Sequence, residues 1–221
     1  MVSISEDIYA DEKIFSLDFD KTPMPSGYSE LPFIYERGVA DEGLCRAIID
    51  SIDRSKARDA KIQSGFDRTV RHTTLHQLFA EAKELYLQIL HTMRPKIERF
   101  FSVTLSMATE PQFLEYGVGG HYACHADNGS LQKRGEEIVG FRITKSRRKV
   151  TTLLFLNSHG RDFLGGELEF CYLFDKSRNT IRLQPQAGDF LAFPSHALFM
   201  HQVHPVTRGT RYAIAQWHDI I

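Results

Sequence analysis

Cysteine is scarce in this chain, with three residues in 221, at Cys45, Cys124 and Cys171. They are odd in number, scattered and form no CxxC pair, which excludes a CxxC redox or metal motif and reads as reduced thiols in a cytoplasmic protein. An excess of charge of either sign is also missing. The formal net charge of −1 gives no reason to expect nucleic acid or an anionic membrane surface as a partner. No apolar run is long enough to span a bilayer. The opening MVSISEDIYADEK is acidic and lacks the basic-then-apolar pattern of a signal peptide. Internal repeats and low-complexity tracts are absent as well.

What is present points to one globular domain. Hydrophobic residues make up 42% of the chain, and 16 Phe and 8 Tyr favour strands. Residues 1–30 are polar, acidic and irregular and read as an N-terminal arm, loosely ordered or laid across the domain. LPFIYER reads as a strand. Asp41 caps a helix over DEGLCRAIIDSI, where Leu44, Ile48, Ile49 and Ile52 recur at helical spacing. KARDAKIQSGFDRT reads as a loop, and a longer helix is expected from about His76 to Phe101, kinked or split at Pro95. His72, His76 and His91 are expected as capping or surface residues of these helices. From about Leu105 short strands dominate: PQFLEYG, GGHYACHAD, VTTLLFLN, GGELEFCYLF, TIRLQ, GDFLAFP, ALFMHQVHPV and RYAIAQWH. That spacing predicts a sandwich or barrel. The expected fold is α+β, a double-stranded β-helix (jelly-roll) core with an N-terminal helical layer packed on it. Residues 31–221 form the single domain, with helical support over 31–104 and the jelly roll over 105–221.

Within GGHYACHADNG, His125 and Asp127 stand two apart. On a strand they share a face, so they suit one metal ion if a third ligand arrives from elsewhere. His121 lies four strand residues back, roughly 13 Å away at 3.3 Å per residue. His159 and His218 read as surface residues, and His196 belongs to the Pro194-Ser195 turn. His201 and His204 remain. They have opposite parity on ALFMHQVHPV, and parity alone does not choose between them.

The second half of the chain resembles the prolyl 4-hydroxylase group of iron(II)/2-oxoglutarate dioxygenases. The residues that carry the resemblance are Tyr116, Gly119, Gly120, Tyr122, His125 and Asp127, then VTTLLFLN, then Gly165, Gly166, Glu167 and Phe170. Gly188, Asp189 and Phe193 follow, and last come His201, Pro205, Val206, Gly209 and Arg211. The pattern extends over about 100 residues and is looser before them. It implies His125, Asp127 and His201 as metal ligands and places His204 beside them. Two imidazoles and one carboxylate on one face of an octahedral ion leave three positions open, the signature of non-haem iron(II) oxygenases. The resemblance fills them with 2-oxoglutarate and O₂, with ascorbate as an optional reductant. Arg211 is then the partner of the far carboxylate of 2-oxoglutarate, a role suited to a permanent cation able to form two parallel hydrogen bonds. Tyr116 and Thr151 are implied to hydrogen-bond the cosubstrate. Phe155 stands where some relatives carry a Tyr that touches that carboxylate, and Thr151 is the expected substitute. Tyr122 is expected to pack beside the metal and Cys124 to face away from it.

Asp127 argues for hydroxylation, because related halogenases carry a small residue there. The implied reaction hydroxylates an unactivated C–H bond of a prolyl residue or a proline-like amino acid or metabolite, releasing succinate and CO₂. The segment NGSLQKRGEEIVGFRITKSRRK carries seven cations against two glutamates, and reads either as a solvated hairpin or as a loop that holds an acidic substrate. Two other readings are an oxidative dealkylase of nucleic acid with the same metal site and a non-catalytic jelly-roll binding protein. The dealkylases carry a second arginine where this chain has Trp217, and the intact His125, Asp127, His201 and Arg211 argue against a binding protein.

Overall fold

The computed structural model describes residues 1–221 except 28, 53–54, 56, 60–66 and 108. Two antiparallel sheets face each other. The larger is eight-stranded and runs in the order 34–36, 190–194, 150–155, 211–220, 112–116, 74–76, 58–59, with 105–107 paired at the far end of 211–220. The smaller runs 2–3, 9–10, 168–174, 201–203, 121–125, 71–72, with 180–183 beside 168–174. The result is a sheet-rich, jelly-roll-like β core.

Alternation along the central strands explains both faces. On Val150–Phe155, the residues Leu153 and Phe155 join the cluster between the sheets, with Leu114, Phe170, Phe193, Ala213 and Ala215. Val150 and Leu154 turn outward instead, where they meet Ile48, Tyr86, Ile89 and Ile97. Those four belong to helices α2 (Glu42–Asp50) and α3 (Ala80–Phe101), which follow α1 (Glu12–Ser16). Asp41 caps α2 as expected, accepting a hydrogen bond from Leu44 N at 2.8 Å. Each such buried Leu, Ile or Phe contributes about 1.5–3 kcal/mol relative to exposure, so the sheet is held from both sides. No helix among the described residues is long and apolar enough to cross a membrane.

Several expectations need correction. The long helix begins at Ala80, because Thr74–His76 is drawn into the large sheet against Phe113, Leu114 and Glu115. His76 is therefore a buried strand residue, 2.7 Å from Glu115 Oε2, and neither a cap nor a surface group. Pro95 does not split α3: it and His91 both lie on the exposed side, where the carbonyl left without a helical donor reaches water. His218 is buried and hydrogen-bonded to Thr152 Oγ1 at 2.8 Å. ALFMHQVHPV is not one strand. Residues Ala197–Phe199 form a turn of 3₁₀ helix, and the strand starts at His201.

The cysteines are not all reduced thiols either. Cys124 and Cys171 form a disulfide across the end of the strand His201–Val203, with Cα atoms 6.5 Å apart, while Cys45 is free and buried. Sheet pairing closes the 47-residue separation that hides this in the sequence, and it removes the cysteine argument for a reducing compartment. The loop expected over residues 56–69 falls mostly outside the described residues; at its edge Arg58–Asp59 pairs with Thr74 and Leu75. The arm contributes two strands to the small sheet.

Candidate active site

His125 ends the strand His121–His125 and pairs directly with His201, the first residue of the adjacent strand. Two residues beyond His125 the chain brings Asp127 onto the same side. Atoms of His125, Asp127 and His201 that could hold a metal ion all lie within 4.8 Å of one another. His125 Nε2 is 3.6 Å from Asp127 Oδ1, and His201 Nε2 is 3.9 Å from Oδ2.

The tautomers follow from hydrogen bonds. His125 Nδ1 lies 2.9 Å from the Ala123 carbonyl and His201 Nδ1 lies 3.1 Å from the Phe199 carbonyl. A carbonyl only accepts, so each Nδ1 carries the proton and each Nε2 presents its lone pair to the centre of the triad. Burial, then the neighbouring His125, pulls the pKa of His201 down to about 4, which keeps it a neutral ligand at pH 7. Burial works against ionisation of Asp127, but its polar contacts with His125, His201 and the Thr151 hydroxyl outweigh it and hold the carboxyl far below its usual range.

Thr151 supports the triad rather than standing apart from it. Its hydroxyl donates to Asp127 Oδ2 at 2.7 Å and lies 2.8 Å from Ser195 Oγ. Tyr122 stacks on His125 with ring centres 3.5 Å apart, and the guanidinium of Arg71 lies over its ring at 4.5 Å. His121, His159, His196, His204 and His218 do not join the cluster. His204 turns outward to Glu169, 2.6 Å away.

Arg211 is 1% exposed, deep between the sheets. Its guanidinium lies 5.0 Å from the centre of the Tyr116 ring and 5.3 Å from that of Phe155, and among the described residues neither Nε nor Nη1 has a hydrogen-bond partner. Burial pulls its pKa down, partly countered by the Tyr116 hydroxyl. Gly166 makes room for it, while Gly165 lets the backbone of Pro205 and Thr207 approach. Both glycines have φ near +70°, and a Cβ on Gly166 would stand 3.1 Å from Arg211 Cδ. Asn157 fixes the turn before Arg211 by donating to the Thr210 carbonyl and accepting from Tyr212 N.

A fully buried guanidinium with two unpartnered nitrogens fits a carboxylate ligand, since leaving it unpaired costs several kcal/mol, of order 3–5. The same cavity joins Arg211, Tyr116 and Thr151 to the His-Asp-His triad. Two imidazoles and a carboxylate fit iron(II) better than a closed four-ligand zinc site. The donor set and the orphaned cation together suit a metal with a dicarboxylate beside it.

A cleft of about 800 Å³ opens over His125 and Asp127. The basic segment forms its flank as a hairpin, Gly129–Arg134 against Glu137–Ile143, followed by a turn that carries Lys145 and Arg148. Sequence reasoning missed Arg71, whose two-residue strand pairs with His121 and Tyr122 and leaves no periodic signal.

Comparison with known proteins finds related sequences and related folds. The family model described as the 2OG-Fe(II) oxygenase superfamily matches residues 111–219. A PKHD-type hydroxylase of Pseudomonas fluorescens is 30% identical over 190 residues, covering 85% of this chain and 76% of that protein. The fold is shared with a prolyl-4-hydroxylase of Pseudomonas putida, at 22% identity and TM-score 0.63 over 85% of this chain and 91% of that one. A prolyl hydroxylase from Trichoplax adhaerens, solved with a peptide fragment of the hypoxia inducible factor oxygen degradation domain, gives TM-score 0.64 at 16% identity, over 85% and 83% of the two chains.

Proposed function

This chain belongs to the 2OG-Fe(II) oxygenase superfamily, and we propose on that premise that it is a prolyl-type hydroxylase. Its substrate in this reading is a prolyl residue in a peptide or a proline-like amino acid or metabolite, oxidised at an unactivated C–H bond. The family's iron(II), 2-oxoglutarate and O₂ supply the oxidising chemistry, with 2-oxoglutarate leaving as succinate and CO₂. The name of the P. fluorescens relative and the peptide bound by the Trichoplax enzyme support the substrate class.

The chain's own residues do the positioning. His125, Asp127 and His201 would hold the metal through Nε2 atoms and a carboxylate already ionised. Arg211 would take the distal carboxylate of 2-oxoglutarate, with Tyr116 beside it. Thr151 fixes the carboxylate of Asp127 by its 2.7 Å hydrogen bond and so acts on the metal through Asp127. Tyr122 limits rotation of the His125 ring by stacking on it. The packed cluster around Phe155, Phe193 and Ala215 keeps water from the cosubstrate cavity. Helices α2 and α3 serve in this reading as the supporting layer, with residues 31–221 as one domain and residues 1–30 as its arm.

One observation carries the reading: a His-Asp-His triad with free Nε2 atoms shares a cavity with a buried guanidinium that has no anionic partner among the described residues. The test is succinate release from 2-oxoglutarate under iron(II) and O₂, with prolyl peptides and free amino acids compared as stimulants. Asp127→Ala is expected to abolish turnover. Arg211→Ala removes a buried charge pair, a loss of about 2–5 kcal/mol and so roughly 30- to 5,000-fold in 2-oxoglutarate affinity. Unchanged affinity would refute the cosubstrate site.

A further inference from the structure

The cleft over the triad has a lopsided charge. Arg58, Arg71, Lys133, Lys145 and Arg148 line it, against Asp59 and Asp127. Asp59 is already matched by Arg68 at 2.6 Å, and Asp127 belongs to the triad.

The segment 145–149 sharpens the contrast. Arg147 pairs with Asp219 at 2.9 Å, and Lys149 pairs with Asp20 at 2.6 Å. Lys145 and Arg148, alternating with them in sequence, turn to the cleft, and among the described residues neither makes a salt bridge. Arg148 is nonetheless held in place. Its guanidinium lies 3.8 Å from the centre of the Trp217 ring, and Nη1 donates to the Asp127 carbonyl at 3.4 Å. Burial disfavours the charged forms of Lys145 and Arg148; Arg148 repels Lys145 and Arg71 repels both, while the Asp127 carboxylate favours both charges. Two neighbouring cations without a salt bridge among the described residues, beside the position where a substrate must lie, make an anion site.

We propose that this cleft selects substrates carrying a carboxylate, gripped by Lys145 and Arg148 while the neighbouring C–H bond faces the triad. The inference rests on the hydroxylase reading and specifies its substrate class. An acidic prolyl peptide and a small proline-like acid share this chemistry.

Trp217 is the sole tryptophan of the chain, and Arg148 sits on it, so its fluorescence reports occupancy directly. The holoenzyme, loaded with iron(II) and 2-oxoglutarate without O₂, is titrated with two matched pairs. One pair is acetyl-Glu-Pro-Glu-amide and acetyl-Gln-Pro-Gln-amide; the other is N-acetyl-L-proline and N-acetyl-L-prolinamide. In at least one pair the acid is expected to bind ten-fold or more tightly than its amide, and the pair that responds names the source. Lys145→Gln with Arg148→Gln is expected to erase that preference, while Arg148→Lys, which keeps the charge, retains most of it. Equal affinity within both pairs, no binding of either acid, or preferential binding of a thymidine oligonucleotide would each overturn the proposal. Iron-dependent succinate release is measured on matched samples after O₂ is admitted. Its presence with no acid preference refutes this inference alone; its absence refutes the hydroxylase reading.

Discussion

Replacing Thr151 by valine separates two roles for one hydroxyl. The side chains are nearly isosteric, so the core around residue 151 keeps its volume while Asp127 Oδ2 loses its 2.7 Å donor and Ser195 loses a partner. A hydrogen bond to an ionised acceptor is worth about 1.5–3 kcal/mol. At 1.4 kcal/mol per decade that is roughly 10- to 100-fold in metal affinity, in line with other partners that orient metal-binding carboxylates. Isothermal titration with manganese(II) as a redox-silent stand-in reads this directly, and 2-oxoglutarate is then titrated into the metal-saturated variant. Metal affinity is expected to fall while 2-oxoglutarate affinity changes little. Thr151→Ser restores the hydroxyl and with it most of the lost affinity. If Thr151→Val binds manganese within two-fold of the parent yet loses 2-oxoglutarate, the hydroxyl serves the cosubstrate, and the argument from the Asp127 hydrogen bond is wrong.

Three further outcomes are expected. Gly166→Ala puts a Cβ against Arg211 at a backbone φ of +67°, which costs about 1–3 kcal/mol of stability by thermal or denaturant melts and weakens 2-oxoglutarate more than manganese; unchanged stability would remove the steric account of Gly166. His196 and His218 are buried, and burial is the leading cause that brings each to a pKa of about 4 from an unfolded value near 6.5. The unfolded chain therefore takes up protons first, and stability is full above about pH 6.5 and falls by about 1.4 kcal/mol per pH unit for each histidine down to pH 4. Urea melts across that window check it, and His218→Gln should flatten the slope. Phe19→Ala removes a ring 5.3 Å from Phe141, and faster amide exchange is expected in residues 129–143 with α3 unaffected.

Legibility in the sequence followed how local each signal was. His125 and Asp127 could be paired from their spacing because His125 ends a strand and the chain keeps Asp127 on the same side just beyond it. His201 could not be separated from His204 by parity, since Ala197–Phe199 is helical and only the register of His201 against His125 decides the matter. His218 was read as a surface residue for lying near the last position, but the strand that holds it runs through the middle of the large sheet beside Thr152. The Cys124–Cys171 bond, the strand carrying Arg71 and the pairing of His76 with Glu115 depend on contacts between distant segments, which composition and period do not record. Thr151 was placed near the cosubstrate by resemblance; its bond to Asp127 needed coordinates.

The way the arm is fastened has an evolutionary corollary. Phe19 rests on Phe141 of the hairpin, Asp20 holds Lys149, and the Pro23 carbonyl receives His196. The flank of the cleft is thus tethered by residues that contribute nothing to the His-Asp-His triad. Drift in the first two dozen positions would retune which molecules gain entry while the His-Asp-His triad stays untouched, so selectivity and reactivity in this scaffold can be inherited separately.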